Sequence, residues 1–316
     1  MTKLLIDLDE VAFKAALRCE VTIFLAQKTN SKWIPDEPSD EQLKRYGRLT
    51  KTELYSEVIG DSDEDWEVQE HKISLDSSLG LKYIKEKLEW LGDKTGADEF
   101  VFCYGSGKNF RYDVAKLNPY KGDRKAKPVR LPDMVEHIRK RYRCEVMEGV
   151  ESDDVMGLLQ TAALTDGEET IICSQDKDLR TIPGKYLLAK DGTIKYQTPL
   201  EAVKFLYTQI LMGDTTDNIR GVPGIGPRKA EKLLADCKYE MDMARVVLQA
   251  YRDASQLSVE KRTPKAKGAA VFPSAKERSP ESMACEIARL VYIRKVVEDC
   301  NYPIGLFKLC GEPYGY

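Results

Sequence analysis

The sequence has little histidine, no C-x-x-C pair and no long apolar run. Its 316 residues include two histidines, His71 and His137, and eight scattered cysteines. Zinc sites need clustered thiols and imidazoles, so zinc is not expected. Unpaired thiol spacing suits a reducing cytosol, which makes a cytoplasmic protein the expectation. No apolar stretch nears the ~20 residues that span a bilayer, and the N-terminus has no basic-then-apolar leader. A large excess of one charge is also lacking: 49 Lys and Arg stand against 52 Asp and Glu, a net of −3. With 42% hydrophobic residues the chain has material for an ordinary core, and its length fits about two domains at ~150 residues each.

The charge is unevenly placed. Residues 103–143 carry 12 Lys and Arg against four acids, and residues 31–73 carry six against 12. The acidic stretch reads as an insertion, and residues 258–280 as a flexible basic loop. Elsewhere apolar runs alternate with helical periodicity. Strands are expected at Lys3–Asp7, Glu99–Cys103, Cys144–Met147 and Thr170–Cys173. Helices are expected over Val11–Gln27, from Leu79 to Leu91, from Pro132 to Tyr142 and over Ser152–Leu164. This alternation predicts an α/β fold with a mostly parallel sheet flanked by helices. A hairpin around Asp191-Gly192 and a capping box at Thr198-Pro-Leu-Glu201 lead into a helical remainder.

In a parallel sheet, sites form beyond the carboxyl ends of the strands. Asp7 ends the first strand. Glu151, Asp153 and Asp154 follow the third, on a helix expected to be capped by Ser152; Asp176 and Asp178 follow the fourth. Asp214 and Asp217 end the capping-box helix. Eight carboxylates at one edge cannot all stay ionised without cations, and oxygen-only donors select Mg²⁺ or Mn²⁺. Two such ions suit phosphodiester hydrolysis.

Gly221-Val-Pro-Gly-Ile-Gly226, followed by Pro227-Arg228-Lys229, reads as a tight turn between two helices. Backbone amides at Gly224 and Gly226, with Arg228 and Lys229, suit a duplex phosphate backbone without base readout. Lys108, Arg111, Lys116, Lys121, Arg124, Lys125, Lys127 and Arg130, interleaved with Phe110, Tyr112 and Tyr120, give charge and stacking surface suited to a single strand.

The order Asp7, Tyr120-Lys-Gly-x-Arg124, Glu151-Ser-Asp-Asp, Ser174-Gln-Asp-Lys-Asp and Gly213-Asp-Thr-Thr-Asp-Asn-Ile-Arg-Gly-Val-Pro-Gly-Ile-Gly resembles the flap endonuclease superfamily. It is most similar to bacteriophage 5′→3′ exonucleases and the 5′-nuclease domain of bacterial DNA polymerase I. The resemblance implies a PIN-like nuclease domain over 1–197, with a basic arch at 105–127. Residues 198–316 would form a helical region bearing a helix-hairpin-helix. It also implies a metal-dependent structure-specific 5′ nuclease, acting in DNA replication on duplex, flapped or nicked DNA or on RNA primers, in a bacterium or phage-infected host. The eight acids become metal ligands, and Lys121 and Arg124 reach the scissile phosphate. Lys108, Arg111 and Tyr120 join the DNA surface, and a K⁺ sits at the helix-hairpin-helix. A monomer is expected.

One departure stands out. The family usually places an aspartate after the second strand, where this chain reads Phe102-Cys-Tyr-Gly-Ser-Gly107. A catalytically weak branched-DNA binder is therefore the rival expectation. A PIN-type endoribonuclease is a third, opposed by the turn at 213–230, which that class lacks.

Overall fold

The computed structural model describes residues 1–28, 66–122, 126–188, 191–260, 273, 276–295 and 304–311; at 23–28, 66–71 and 257–260 only the backbone is described. The chain forms two compact units. One comprises Met1–Asp9, Leu91–Lys125 and Arg141–Tyr316; the other comprises Glu10–Trp90 and Ala126–Lys140.

The first unit is built on a six-stranded sheet of order β5-β4-β1-β6-β7-β8. Its strands are β1 (Thr2–Asp7), β4 (Glu99–Ser106), β5 (Arg143–Glu148), β6 (Glu169–Cys173), β7 (Gly184–Leu187) and β8 (Ile194–Gln197). All neighbours run parallel except β7 and β8, which form the expected hairpin. Leu4, Leu5 and Ile6 are all buried although successive side chains point to opposite faces, so both faces of β1 are covered. On one side Leu5, Val101 and Ile172 pack with Val155 and Met156 of the helix Ser152–Asp166. Burial of each such side chain is worth roughly 1.5–3 kcal/mol.

Register determines what shares an edge. Asp7 stands opposite Cys103, and Ile6 opposite Cys173. The loops after β1, β4 and β6 therefore open on the same rim.

The helical remainder of this unit packs around Tyr207, Ile210, Leu234, Val247, Tyr251, Ile287 and Phe307. Its helices are Pro199–Met212, Pro227–Leu234, Glu240–Glu260, Pro280–Val291 and Ile304–Cys310. Thr198 and Glu201 form the expected reciprocal cap. A short antiparallel bridge, β9 (Gly213–Asp214) with β10 (Ile219–Arg220), interrupts the helices where only helix was expected.

Other expectations need correction. The helix expected over Val11–Gln27 ends at Leu17, and Glu20–Lys28 is a strand, β2, paired antiparallel with β3, Trp66–Ser74. The β-branched run Val21-Thr22-Ile23 favours a strand once a partner is present. The C-terminal part of the expected 31–73 insertion is thus strand; residues 29–65 lie outside the described residues. The first part of the 258–280 loop continues a helix to Glu260, and residues 261–272 are outside the described set. Glu151, not Ser152, is the N-cap of the Ser152–Asp166 helix, because Asp154 reaches back to the Glu151 amide. Among the described residues, no helix is long and apolar enough to cross a membrane.

Candidate active site

The shared rim collects the acids, but not as one shell. Among the described residues, no three carboxylates, histidines or cysteines stand close enough to hold a metal ion. The physical reason is that most of the eight acids are turned onto partners within the protein.

Asp154 is fully buried and forms a forked ion pair with Arg111, at 2.7 and 2.9 Å. It also accepts from the amides of Glu151 and Arg294, both at 3.0 Å. Four donors occupy its oxygens, so the metal-ligand role expected for Asp154 does not fit this geometry. Burial works against its charge, but Arg111 wins and holds the carboxyl below its ordinary range. Arg111 is 3% exposed and also donates to the carbonyls of Leu290 and Tyr292. The DNA-contact role expected for Arg111 is therefore replaced by an internal one.

Glu151 and Asp217 face each other across two residues. The Tyr120 hydroxyl lies 2.9 Å from a carboxylate oxygen of each. Lys121 Nζ pairs with Glu151 and lies 3.6 Å from Asp217. Asn109 donates a further bond of 2.9 Å to Glu151. Tyr120 is itself buried, and burial pushes its hydroxyl far above its ordinary range, so it stays protonated. Lys121 and Asn218 are the two non-glycine residues with left-handed φ among the described residues, at 55° and 58°. Such conformations cost about 1–3 kcal/mol each and persist only when the surroundings impose them. Here two turns clasp each other: the Lys121 amide donates to the Asp217 carbonyl at 3.1 Å, and Asn218 Nδ2 donates to the Pro119 carbonyl at 2.9 Å.

The remaining acids crowd one another. Burial, then Asp176, Asp7, Glu151 and Asp154, push Asp153 well above its ordinary range. Desolvation, Asp217 and Asp214 raise Asp176. Burial, then Asp176 and Asp214, push Asp178 up to about 8. Asp214 is the exception: burial opposes its charge, but the Thr216 amide at 2.7 Å and Lys177 Nζ at 3.2 Å keep it low. This donor set fits a hard divalent cation. Every donor is oxygen, and a cation beside Asp153, Asp176 and Asp178 would remove repulsion that Lys177 offsets only in part.

The sequence reading missed several contributors. Gln209, buried in the Pro199–Met212 helix, donates to Asp178 at 2.6 Å. Ser152 donates to Asp9 at 3.1 Å. Asn109 and Glu286 are buried polar groups at this site or behind it. None announces itself in the sequence, because each acts through a partner distant along the chain. Of the expected basic residues, Lys108 is exposed and paired with Asp113, and Arg228 and Lys229 are exposed beside the turn. Lys229 Nζ lies 3.4 Å from the Gly224 carbonyl. Arg124 lies outside the described residues.

Within the end of β4, which carries no acid, Gly105 is sterically closed. A Cβ on Gly105 would lie 2.2 Å from the Val150 carbonyl oxygen and 2.6 Å from the Glu151 backbone. Ser106 Oγ donates to the Met147 carbonyl at 3.4 Å.

Residues 81–200 match the family described as 5′-3′ exonuclease, N-terminal resolvase-like domain. This stretch is similar to that family; the matched residues are well under half of the chain. The chain is 34% identical over 152 residues to DNA polymerase I of Rhizobium leguminosarum, covering 43% of this chain and 14% of that protein. It is 33% identical over 160 residues to the exodeoxyribonuclease of enterobacteria phage T3, covering 49% of this chain and 51% of that protein. The match therefore spans about half of the phage relative and a small part of the polymerase. Among solved structures, the T5 D15 protein co-crystallised with metal ions superposes with a TM-score of 0.50 at 16% identity. That likeness covers 92% of this chain and 89% of the T5 chain, and it shows a shared fold.

Proposed function

We propose that this chain is a metal-dependent 5′ nuclease that hydrolyses phosphodiester bonds at the 5′ ends of duplex or branched DNA, or of RNA primers paired to DNA. One observation carries the reading: Lys121, in a strained left-handed conformation, holds its ammonium on Glu151 at the rim that also bears Asp153, Asp176 and Asp178. Strain of this kind accumulates where geometry serves chemistry.

Asp7, Asp153, Asp176, Asp178 and Asp214, with Glu151 and Asp217, are the residues that would hold divalent ions. Such ions supply an activated water and a Lewis acid for the phosphate. The chain's own residues do the rest. Lys121 exchanges Glu151 for the scissile phosphate and stabilises its developing charge, with Arg124 as its expected companion. Tyr120 keeps its proton and holds Glu151 and Asp217 at a fixed separation. The region 198–316 grips the duplex. Gly226 supports this, since neither its φ of −100° nor any neighbour within 4 Å demands glycine. A backbone approaching closely would demand it. Arg228 and Lys229 add charge, and a K⁺ at the turn carbonyls and a monomeric state complete the proposal.

A second reading, a branched-DNA binder that cuts poorly, is favoured by the absence of an acid over Cys103–Ser106 and by the commitment of Asp154 to Arg111. A 5′-labelled duplex incubated with Mn²⁺, with Mg²⁺ and with EDTA separates the two. Cleavage with either metal and none in EDTA is expected; tight binding without any metal-dependent product would establish the binder.

A further inference from the structure

Glu286 is the least explained charge in the molecule. It lies in the helix Pro280–Val291 and is 2% exposed. An isolated buried carboxylate is costly, so its partners reveal what it is for. Glu286 Oε1 accepts from the backbone amides of Lys116 and Leu117, at 2.6 and 2.7 Å. The Arg278 guanidinium pairs with Oε2. No regular element supplies carbonyls to those two amides. They belong to the link between the short helix Arg111–Val114 and the Tyr120-Lys121 turn.

That link is held at three points. Its start is fixed by Arg111, bonded to the Leu290 and Tyr292 carbonyls. Its end is fixed by Asn118 Nδ2 on the Asn218 carbonyl and by Asn218 Nδ2 on the Pro119 carbonyl. Between them stands Glu286. A non-glycine residue held at positive φ needs its entering chain fixed, or it relaxes to the ordinary region.

We propose that Glu286 is a positioning residue: from the helix Pro280–Val291 it fixes the 115–117 link and thereby holds Lys121 in its strained, site-facing conformation. The functional half of this inference rests on the nuclease reading above. It assigns the stretch around 280–291, beyond the matched residues 81–200, a direct part in aligning the site.

The test compares Glu286→Gln, Glu286→Leu and Arg278→Ala in the full chain by amide hydrogen exchange, duplex binding in EDTA and single-turnover cleavage with Mn²⁺. Gln still offers a carbonyl oxygen to both amides, so protection of 116–117 and the cleavage rate should stay near those of the unsubstituted chain. Arg278→Ala leaves the buried carboxylate without its cation, so it should lower global stability while 116–117 stay as protected relative to the sheet core as in the unsubstituted chain. Glu286→Leu should speed exchange at 115–121 by about tenfold or more while the sheet core stays protected. It should also slow cleavage by about 10- to 100-fold with DNA affinity unchanged, the signature of misplaced groups. Exchange that rises uniformly over the unit in Glu286→Leu, or a Gln variant as impaired as Leu, would overturn the assignment. Absence of cleavage by the unsubstituted chain would sink the nuclease reading instead, and the exchange comparison would still decide whether Glu286 holds the link.

Discussion

Two halves of the acidic rim differ in how their charge is managed. Around Glu151, Asp154 and Asp217 every carboxylate has a protein partner: Arg111, Lys121, Asn109 or Tyr120. Around Asp153, Asp176 and Asp178 the acids are buried beside one another, and burial first, then repulsion between acids, holds their protons more tightly. The first half is a scaffold in which the protein itself supplies each carboxylate with a donor. The second stores repulsion that a divalent cation would relieve. Counting acids along a sequence cannot separate the two, because an Asp with a buried Arg partner and an Asp beside another Asp look alike until the chain is folded.

This division can be broken by substitution, most sharply in the crowded half. Asp153→Ala or Asp176→Ala should lower metal-dependent cleavage by about 10³-fold, or ~4 kcal/mol of barrier, while duplex binding in EDTA stays intact. Near-normal turnover would remove these residues from the site. In the scaffold half the loss should fall on folding. Asp154→Ala leaves Arg111 buried and unpaired and should cost about 3–5 kcal/mol in urea unfolding. Asp153→Asn, by contrast, should raise stability by about 1 kcal/mol, since it removes repulsion. Equal effects of the two would erase the distinction.

Proton linkage sharpens the same contrast. Asp178 has its carboxyl raised from 3.8 to about 8, so between those values the native state binds a proton that the unfolded chain has released. Its contribution to stability is complete below the lower value and is lost as pH rises through the upper one. Unfolding free energy measured in EDTA should therefore fall across that window. Asp178→Asn should flatten the slope, and added Mg²⁺ should reduce it. The smallest effect is expected far from the acids. Lys229→Ala should weaken duplex binding about equally across sequences and reduce the salt slope by about one; an unchanged slope would detach the turn from the duplex.

Much of the frame was legible beforehand because it rests on local rules. The apolar run Leu4–Ile6 before Asp7, the Thr198 capping box and the Asp191-Gly192 turn each carry their own stereochemistry, and each lies where expected. The β2–β3 hairpin was not legible. Its first strand continues an apolar run that also suits a helix, and its partner begins 38 residues after β2 ends. The roles of Arg111 and Glu286 were hidden for a similar reason. Arg111 sits in a basic run, the usual mark of a solvated or anion-binding face, yet its carbonyl partners are 179 and 181 residues away. A side chain's neighbours along the chain set its charge environment in the unfolded state, but only the fold determines whether it meets water.

Gly105 shows how a small residue can govern a large one. The backbone of Val150 and Glu151 rests where a side chain on Gly105 would project. Any side chain there would push Glu151 outward, away from Tyr120 and Lys121. The same distances set the height of the neighbouring loop. A change of chemistry at that position could be accommodated only by rebuilding the adjoining turn at the same time.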